Sequence, residues 1–321
     1  MIKVNEANIK IWSALGTRAT FGLSILEIVE KYENLLILTA DVSTSAGLDR
    51  FKKKYPNKLI DVGIAEQNMI GVATGLSNEG FKVITTTFSP FQTLRCLEQI
   101  KVNLGYMKSN ISMVGLASGL VLGNLGFTHC SIEDVGVLRS IPNLNIVCPA
   151  DSLETIKAVE SMLQSDKSTY LRLTGGSNNQ IINKIDYDFE IGKAVQLKDG
   201  KDVILISNGV ILNECLEAAK SLDSLGISTK VVNSHTIKPL DIEMVMDAKN
   251  FKLIVTVEEH NIIGGLGSAV AEVLSKEKTK PQHIFIGIND YYEKGGSYRY
   301  LLEKYGLKSE KIVERVKKNY E

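Results

Sequence analysis

Short apolar runs alternate with amphipathic stretches along almost the whole of this 321-residue sequence. The apolar runs have the length of buried strands, as in residues 35–38 and 111–115. The stretches between them have helical spacing, as in residues 66–78, 92–104 and 131–140. Regular alternation of this kind is typical of a mainly parallel sheet covered by helices on both faces. The sequence therefore predicts an α/β fold.

The alternation is interrupted at residues 174–188, where glycine and asparagine are followed by mixed polar residues. Such a composition is typical of a linker. We therefore predict two domains, residues 1–173 and residues 191–321, joined by a linker at residues 174–190. The length and the apolar fraction of 44% are sufficient for two hydrophobic cores, so each domain is expected to contain its own mainly parallel sheet.

Composition and charge argue against several classes of function. The 37 basic and 37 acidic residues cancel, so the chain lacks the positive excess that nucleic-acid binding usually requires. Residues 1–6 do not begin a secretory signal, and the weakly polar stretch 111–127 is shorter than a membrane span of about 20 residues. The four cysteines have neither paired nor zinc-binding spacing, which favours reduced, buried thiols. We expect a cytoplasmic protein with neither a nucleic-acid nor a membrane partner.

The most informative motif is DVGIAEQNMIGVATG at residues 61–75, which places Glu66 between a strand and a helix rich in small residues. A carboxylate there could simply favour the positive end of the helix dipole, which is worth about 0.3–1 kcal/mol. It could also serve chemistry, because a carboxylate in a dry pocket acts strongly on a neighbouring ring or proton. The motif alone leaves both interpretations open.

The segment around Glu66 resembles the one that carries the activating glutamate in transketolases and related thiamine-diphosphate enzymes. This resemblance implies a specific role for Glu66. The resemblance extends from about residue 18 to residue 307, and it implies a pyrimidine-binding domain followed by a transketolase C-terminal domain. It also implies that Glu66 hydrogen-bonds the aminopyrimidine ring of thiamine diphosphate and acts in catalysis. Ile64 in the same turn and Asp41, which borders the pocket, would contact the cofactor as well.

A second motif, TTTFSPFQTLRCLEQI at residues 85–100, places two phenylalanines at a strand–helix junction. In the family an aromatic ring at this junction stacks on the aminopyrimidine, and such contact contributes about 0.5–1.5 kcal/mol beyond the buried area. The resemblance implies this role for Phe91 and, as second choice, for Phe88. Without that context, ordinary core packing would be the simpler interpretation of both rings.

A third motif, GNLGFTHCSIED at residues 123–134, resembles the family's Gly-Glu-Asp-Gly-Pro-Thr-His loop. His129 would act in catalysis and bind the sugar, because an imidazole can donate or accept a proton. Asn124 and Leu125 replace the acidic pair of that loop, and Ala117 stands where the family has a further histidine. These replacements affect positions that contact the sugar in the family.

Three residues far apart in the sequence resemble the family's site for the substrate phosphate: Arg18, Ser45 and Arg172. Arginine suits this role because its planar guanidinium can donate to two phosphate oxygens at once. Each of them taken alone would be an ordinary surface or interface residue. Together they imply a substrate that carries a phosphate group.

The sequence contains no Gly-Asp-Gly motif, with which the family holds Mg²⁺ and the cofactor's diphosphate. We therefore expect no metal ligands in this chain. The Mg²⁺ ligands would come from a separate N-terminal transketolase subunit that carries the diphosphate-binding domain. The expected assembly is a dimer of heterodimers, with the thiamine diphosphate at the contact between two chains.

The resemblance implies an enzyme that transfers a two-carbon ketol unit from a ketose to an aldose acceptor. One alternative is the β subunit of a 2-oxoacid dehydrogenase, which shares both domains and carries a similar activating segment. Residues 128–143 favour the transketolase because they match its pattern more closely. Another alternative is a non-catalytic partner subunit, against which the presence of Glu66 argues.

Overall fold

The computed structural model describes residues 3–320 and contains two sheets covered by helices. Its strands are β1 (Leu35–Thr39), β2 (Leu59–Asp61), β3 (Lys82–Phe88), β4 (Ile111–Ser118), β5 (Leu144–Val147), β6 (Ser168–Thr174), β7 (Val195–Lys198), β8 (Val203–Ser207), β9 (Thr229–Asn233), β10 (Thr236–Lys238), β11 (Leu253–Asn261) and β12 (Gln282–Ile288). Its α-helices are α1 (Glu6–Leu15), α2 (Thr17–Ile28), α3 (Asp49–Lys54), α4 (Glu66–Asn78), α5 (Ser89–Gln92), α6 (Leu97–Ile100), α7 (Asp134–Arg139), α8 (Ser152–Gln164), α9 (Leu212–Ser224), α10 (Ile242–Asp247), α11 (Leu266–Leu274), α12 (Tyr298–Lys304) and α13 (Ser309–Tyr320). Met1, Ile2 and Glu321 lie outside the described residues. The outer bounds of the two predicted domains therefore also lie outside them. The same is true of the first two residues of the stretch expected to lack a secretory signal.

The first sheet has the strand order β10-β5-β6-β4-β3-β1-β2, and β1 to β6 run parallel to one another. Every residue of β4, β5 and β6 is buried, as expected of parallel strands covered on both faces. Helices α2 and α8 pack on one face through residues such as Phe21 and Val159. Helix α4 covers the other face with Met69 and Ile70. The predicted α/β fold is confirmed.

The second sheet has the order β12-β11-β8-β9-β7, and only the edge strand β7 runs antiparallel to its neighbour within the described residues. Helices α9 and α13 cover one face, with Leu222 and Val316 in the core. Helices α10 and α11 cover the other face, with Val245 and Val270. Both sheets are therefore mainly parallel, as the sequence predicts.

Strand β10 does not follow from the sequence pattern. It comes after β9 in the second half of the chain, yet it pairs antiparallel with β5 of the first sheet. Thr236 lies opposite Val147, and Lys238 lies opposite Ile146. The Nζ atom of Lys238 also donates to the carbonyl oxygen of Arg139 at 2.9 Å. A strand of three residues has too little periodicity to be detected, so the sequence does not reveal this connection between the two halves.

Two helices differ from the expected ones. The helix expected at residues 92–104 is wrong, because α5 and α6 are separated by a short 3-10 turn and α6 continues as a π-helical segment. The hydroxyl of Thr93 donates to the carbonyl oxygen of Ser89 at 2.7 Å, at the point where α5 ends. The helix expected at residues 131–140 begins later, as α7, because Ser131 exchanges backbone hydrogen bonds with Gly119.

Other expectations are confirmed. The thiols of Cys96, Cys130, Cys148 and Cys215 are free and buried. The stretch from residue 111 begins as the buried strand β4 and continues as a loop. Within residues 3–320, the helices are all too short or too polar to cross a membrane.

A buried arginine, paired with an aspartate of the first half, connects the two halves of the chain. The Nε atom of Arg172, in β6, donates to the carboxylate of Asp134, in α7, at 2.8 Å. Its Nη2 atom donates to the carbonyl oxygens of Ser131 and Glu259, each at 3.0 Å. The side chains of Arg172 and Asp134 are 2% and 0% exposed. Because a buried charge is tolerated only with a partner, this pair holds α7 and β11 against β6.

We expect Asp134→Ala to lower the free energy of unfolding by about 3–5 kcal/mol, because Arg172 is then buried without its counter-charge. Urea denaturation followed by circular dichroism measures the loss. Asp186→Ala is the control, because Asp186 forms a surface pair with Lys157, and it should cost about 1 kcal/mol or less. Equal losses in the two variants would contradict the structural role of the buried pair.

His260 lies in the same cluster and is held in its neutral form. Its Nδ1 atom donates to the carbonyl oxygen of Asn261 at 2.7 Å, and its Nε2 atom accepts from the backbone N–H of Gly136 at 3.2 Å. Burial lowers the pKa of His260 to about 4, although the charge of Asp134 acts in the opposite direction. The unfolded histidine has a pKa of about 6.5, so the unfolded state binds more protons between these values. The native state therefore loses stability as the pH falls through this range.

We expect the difference in unfolding free energy between the wild type and His260→Gln to shrink by about 2 kcal/mol from pH 7 to pH 5. Urea denaturation of both proteins at the two pH values measures this. Burial raises the pKa values of Glu258 and Glu259 to about 7, but both carboxyl groups are present in the two proteins and largely cancel in the comparison. A difference that does not depend on pH would contradict the neutral state of His260.

Candidate active site

Most of the residues predicted for the site lie at the carboxyl-terminal edge of the first sheet; the exceptions are Arg18, in α2, and Arg172, within β6. Ligands of parallel α/β sheets usually bind at this edge. The ends of four neighbouring parallel strands, or the loops that follow them, carry the predicted residues: Asp41 and Ser45 after β1, Ile64 and Glu66 after β2, Phe88 and Phe91 at the end of β3, and His129 after β4.

Glu66 begins helix α4 directly after the turn that follows β2. The turn contains Gly63 with a φ of 71°, in the left-handed region that favours glycine. The Oδ1 atom of Asp61 fixes the turn, because it accepts from the backbone N–H of Gly63 at 3.0 Å and from that of Asp41 at 2.9 Å. The Glu66 side chain is only 3% exposed. The turn therefore delivers a carboxylate to a place almost without water.

The guanidinium of Arg95 is the partner of this carboxylate, a contact that sequence reasoning missed. Its Nη1 atom lies 2.8 Å from Oε2 of Glu66. Its central carbon lies 4.0 Å from the ring centroid of Phe91. The side-chain amide of Gln67 donates to the carbonyl oxygen of Arg95 at 3.1 Å, which fixes the backbone there. The one available signal was that Arg95 follows Phe91 by four residues, at helical spacing.

Phe88, Phe91 and His129 form an aromatic cluster beside the ion pair. The ring centroids of Phe91 and His129 are 5.3 Å apart, and that of Phe88 lies 6.4 Å from each of them. All three contacts are edge-to-face, an arrangement that aromatic rings prefer. The Nδ1 atom of His129 lies 3.0 Å from the hydroxyl oxygen of Thr128. The structure thus brings His129 together with the two phenylalanines and, through Phe91 and Arg95, with Glu66.

Apolar side chains are exposed at the same edge of the sheet. Ile64 is 76% exposed, and Leu125, in the loop of His129, is 58% exposed. Asp41 is exposed as well, with a φ of 58°. The candidate site is thus bordered by side chains that are exposed to solvent.

Arg18 and Ser45 line one pocket of 260 Å³, whose wall also includes Gly176 and Ser177. A Cβ atom on Gly22 in α2 would lie 2.1 Å from the carbonyl oxygen of Gly47, so only glycine allows α2 to approach the loop after β1 this closely. Burial lowers the pKa of Arg18 from its ordinary value. A partly desolvated guanidinium attracts an anion more strongly than one in water. The pocket can therefore bind an anionic group.

Arg172 is not part of that pocket. Besides the carboxylate of Asp134 and the two carbonyl oxygens, its guanidinium donates to the hydroxyl of Thr174 at 3.3 Å. The substrate contact expected of Arg172 is therefore not supported, because its guanidinium is buried and already makes four hydrogen bonds within the protein. A larger cavity of 680 Å³ lies between α1 and residues 181–186 and contains none of the predicted site residues.

Comparison with known proteins gives the family. The chain matches the family "Transketolase, pyrimidine binding domain" over residues 13–179 and the family "Transketolase, C-terminal domain" over residues 192–312. A protein of Methanocaldococcus jannaschii described as a transketolase C-terminal section is 38% identical over 302 residues, which cover 94% of this chain and 95% of that protein. A 6-deoxy-6-sulfo-D-fructose transketolase subunit of Clostridium sp. is 37% identical, and the alignment covers 92% of each chain.

Among solved structures, a split gene transketolase described as an inactive beta4 tetramer has a TM-score of 0.86 and 35% identity to this chain. The match covers 96% of this chain and 98% of that one. Fold, site and relatives together define an α/β enzyme subunit of the transketolase family, to which this chain belongs. Within the family it corresponds along almost its whole length to the C-terminal subunit of a split transketolase.

Proposed function

We propose that this chain is the small subunit of a thiamine-diphosphate-dependent transketolase that transfers a two-carbon ketol unit from a ketose to an aldose acceptor. The observation that carries the proposal is the buried carboxylate of Glu66 at the start of α4, which contacts the same Arg95 guanidinium as the ring of Phe91. The 2-oxoacid dehydrogenase alternative is not favoured, because relatives that match this chain over nearly their own full length are described as transketolase sections or subunits.

The niche between Glu66 and Phe91 fits a flat ring with polar atoms at its edge. The Arg95 guanidinium serves as the observed stand-in, since it is planar, donates to the carboxylate at 2.8 Å and stacks 4.0 Å from the Phe91 centroid. An aminopyrimidine could make the same two contacts. When bound, thiamine diphosphate supplies a nucleophilic carbon and accepts the electron pair that carbon–carbon cleavage releases.

The residues of this chain would orient the reactants and move protons. The Glu66 carboxylate would hold a proton at the ring nitrogen, and its burial makes the hydrogen bond stronger than it would be in water. Phe88 and Phe91 would exclude water from the ring. His129 contacts Phe91 edge-to-face, and its imidazole could donate a proton to the carbonyl oxygen of the sugar or accept one from its hydroxyl.

The diphosphate and Mg²⁺ would be held by an N-terminal subunit, because this sequence lacks the Gly-Asp-Gly motif that the family uses. Within residues 3–320, groups of three or more His, Cys, Asp or Glu side chains suited to a metal ion are also absent. The exposed Ile64 and Leu125 would lie at the contact with that subunit. Two copies of each subunit would form the assembly. The cytoplasmic location of the protein stays a prediction.

The donor sugar would carry an anionic group, phosphate by the family pattern, in the pocket of Arg18 and Ser45. Arg18 supplies the charge and Ser45 a hydroxyl, without help from Arg172. One relative acts on a sulfonated sugar, so the anionic group differs within the family. Asn124, Leu125 and Ala117 would adapt the site to a sugar whose hydroxyl groups differ from those of the usual substrates.

We expect the isolated chain to bind thiamine diphosphate and Mg²⁺ weakly or not at all, and its complex with an N-terminal transketolase subunit to bind them tightly. Titration calorimetry with the chain alone, the N-terminal subunit alone and the mixture measures this. Tight binding by the isolated chain would refute the shared site.

We expect Glu66→Gln to lower the turnover of the reconstituted enzyme by about 10²- to 10⁴-fold, because the amide cannot exchange a proton with the ring. Steady-state kinetics measure turnover, and size-exclusion chromatography checks that the subunits still assemble. Glu79→Gln is the matched control, because Glu79 is exposed at the other end of α4. Near-normal turnover of Glu66→Gln would remove Glu66 from the reaction.

A further inference from the structure

The guanidinium of Arg95 occupies the niche that the proposed function assigns to the cofactor ring. One of its N–H groups meets the Glu66 carboxylate, and its central carbon lies over the Phe91 ring. These are the two contacts proposed for the aminopyrimidine. Arg95 therefore engages one carboxylate oxygen of Glu66 and the ring of Phe91.

The contact between Arg95 and Glu66 stabilises the isolated subunit. The Glu66 side chain is 3% exposed, and a carboxylate buried without a partner would be costly. The Arg95 side chain provides the counter-charge while remaining 41% exposed. The ion pair with Arg95 thus allows the free subunit to bury the Glu66 carboxylate without losing stability.

The same geometry makes the contact easy to break. A guanidinium with this degree of exposure regains water when it leaves, so its ion pair with Glu66 and its contact with Phe91 are both weak. The backbone at Arg95 is held by the Gln67 amide. Rotation of the side chain alone can therefore open the niche, and the helix segments need not move.

We propose that Arg95 is a placeholder that closes the aminopyrimidine niche in the free subunit and is displaced by the cofactor when the enzyme assembles. The inference rests on the proposed function, because it takes the niche as the place of the aminopyrimidine. Because the cofactor must displace Arg95, its apparent affinity equals the affinity for the open niche multiplied by the fraction of subunits whose niche is open. Arg95 thus sets the affinity for thiamine diphosphate from within the site.

The test is Arg95→Met in the reconstituted enzyme, since methionine keeps much of the chain length and loses the charge and the donors. Titration calorimetry with thiamine diphosphate and Mg²⁺ should give a dissociation constant about tenfold lower than that of the wild type. Urea denaturation of the isolated Arg95→Met chain should instead give a lower stability, because Glu66 loses its partner. Arg299→Met, at an exposed arginine of α12, is the matched control and should change neither quantity.

The opposite signs of the two effects distinguish a placeholder from a residue that helps to hold the cofactor. Weaker or unchanged cofactor binding by Arg95→Met would overturn the proposal, as would a stability equal to that of the wild type. Arg95→Lys separates charge from shape: a flexible ammonium pairs with Glu66 without stacking as a plane, so its affinity should lie between those of the wild type and Arg95→Met. If the wild-type complex itself binds no cofactor, the proposed function fails and this inference fails with it.

Discussion

The buried pair of Arg172 and Asp134 is the interaction on which the geometry of the site depends. Arg172 extends from β6, a central strand of the first sheet, and donates to α7, to the carbonyl oxygen of Ser131 and to that of Glu259 in β11. Ser131 also exchanges backbone hydrogen bonds with Gly119, which closes the loop that carries His129. A buried guanidinium is costly unless it is paired and hydrogen-bonded, so these contacts hold the segments together. The position of His129 next to Phe91 is thus fixed from the centre of the molecule.

Within this frame the sheet edge combines two kinds of surface. Glu66 is buried and charged, whereas Ile64 and Leu125 nearby are apolar and exposed. A complete active site would bury the apolar groups together with the carboxylate. The observed arrangement suits half of a site, in which a second chain covers the apolar rim and completes a dry space around the carboxylate. A buried carboxylate bordered by exposed apolar side chains is therefore the pattern expected on the smaller subunit of a split transketolase.

The sequence predicts the fold well because hydrophobic alternation determines both sheets and because the motif at residues 61–75 places Glu66 at a helix start. The meeting of His129 with Phe91 depends on a loop that folds back onto β4, and only the family resemblance suggested it. Arg95 was missed because the broken helix around Thr93 was read as continuous, and an arginine on such a helix is usually exposed. Arg172 was misjudged for a related reason: the charge of an arginine can be recognised in a strand, but its partner is determined by tertiary contacts.

Strand β10 has a consequence for how the chain can be divided. Its sequence belongs to the second half, yet it covers the outer edge of β5 in the first sheet. A first half separated at residues 174–190 would expose that edge, and uncovered edges invite pairing with other chains. The position of the sequence linker and the limits of independent folding therefore do not coincide. A cut between the two halves of this chain would therefore leave a first half that associates with other chains through the exposed edge of β5.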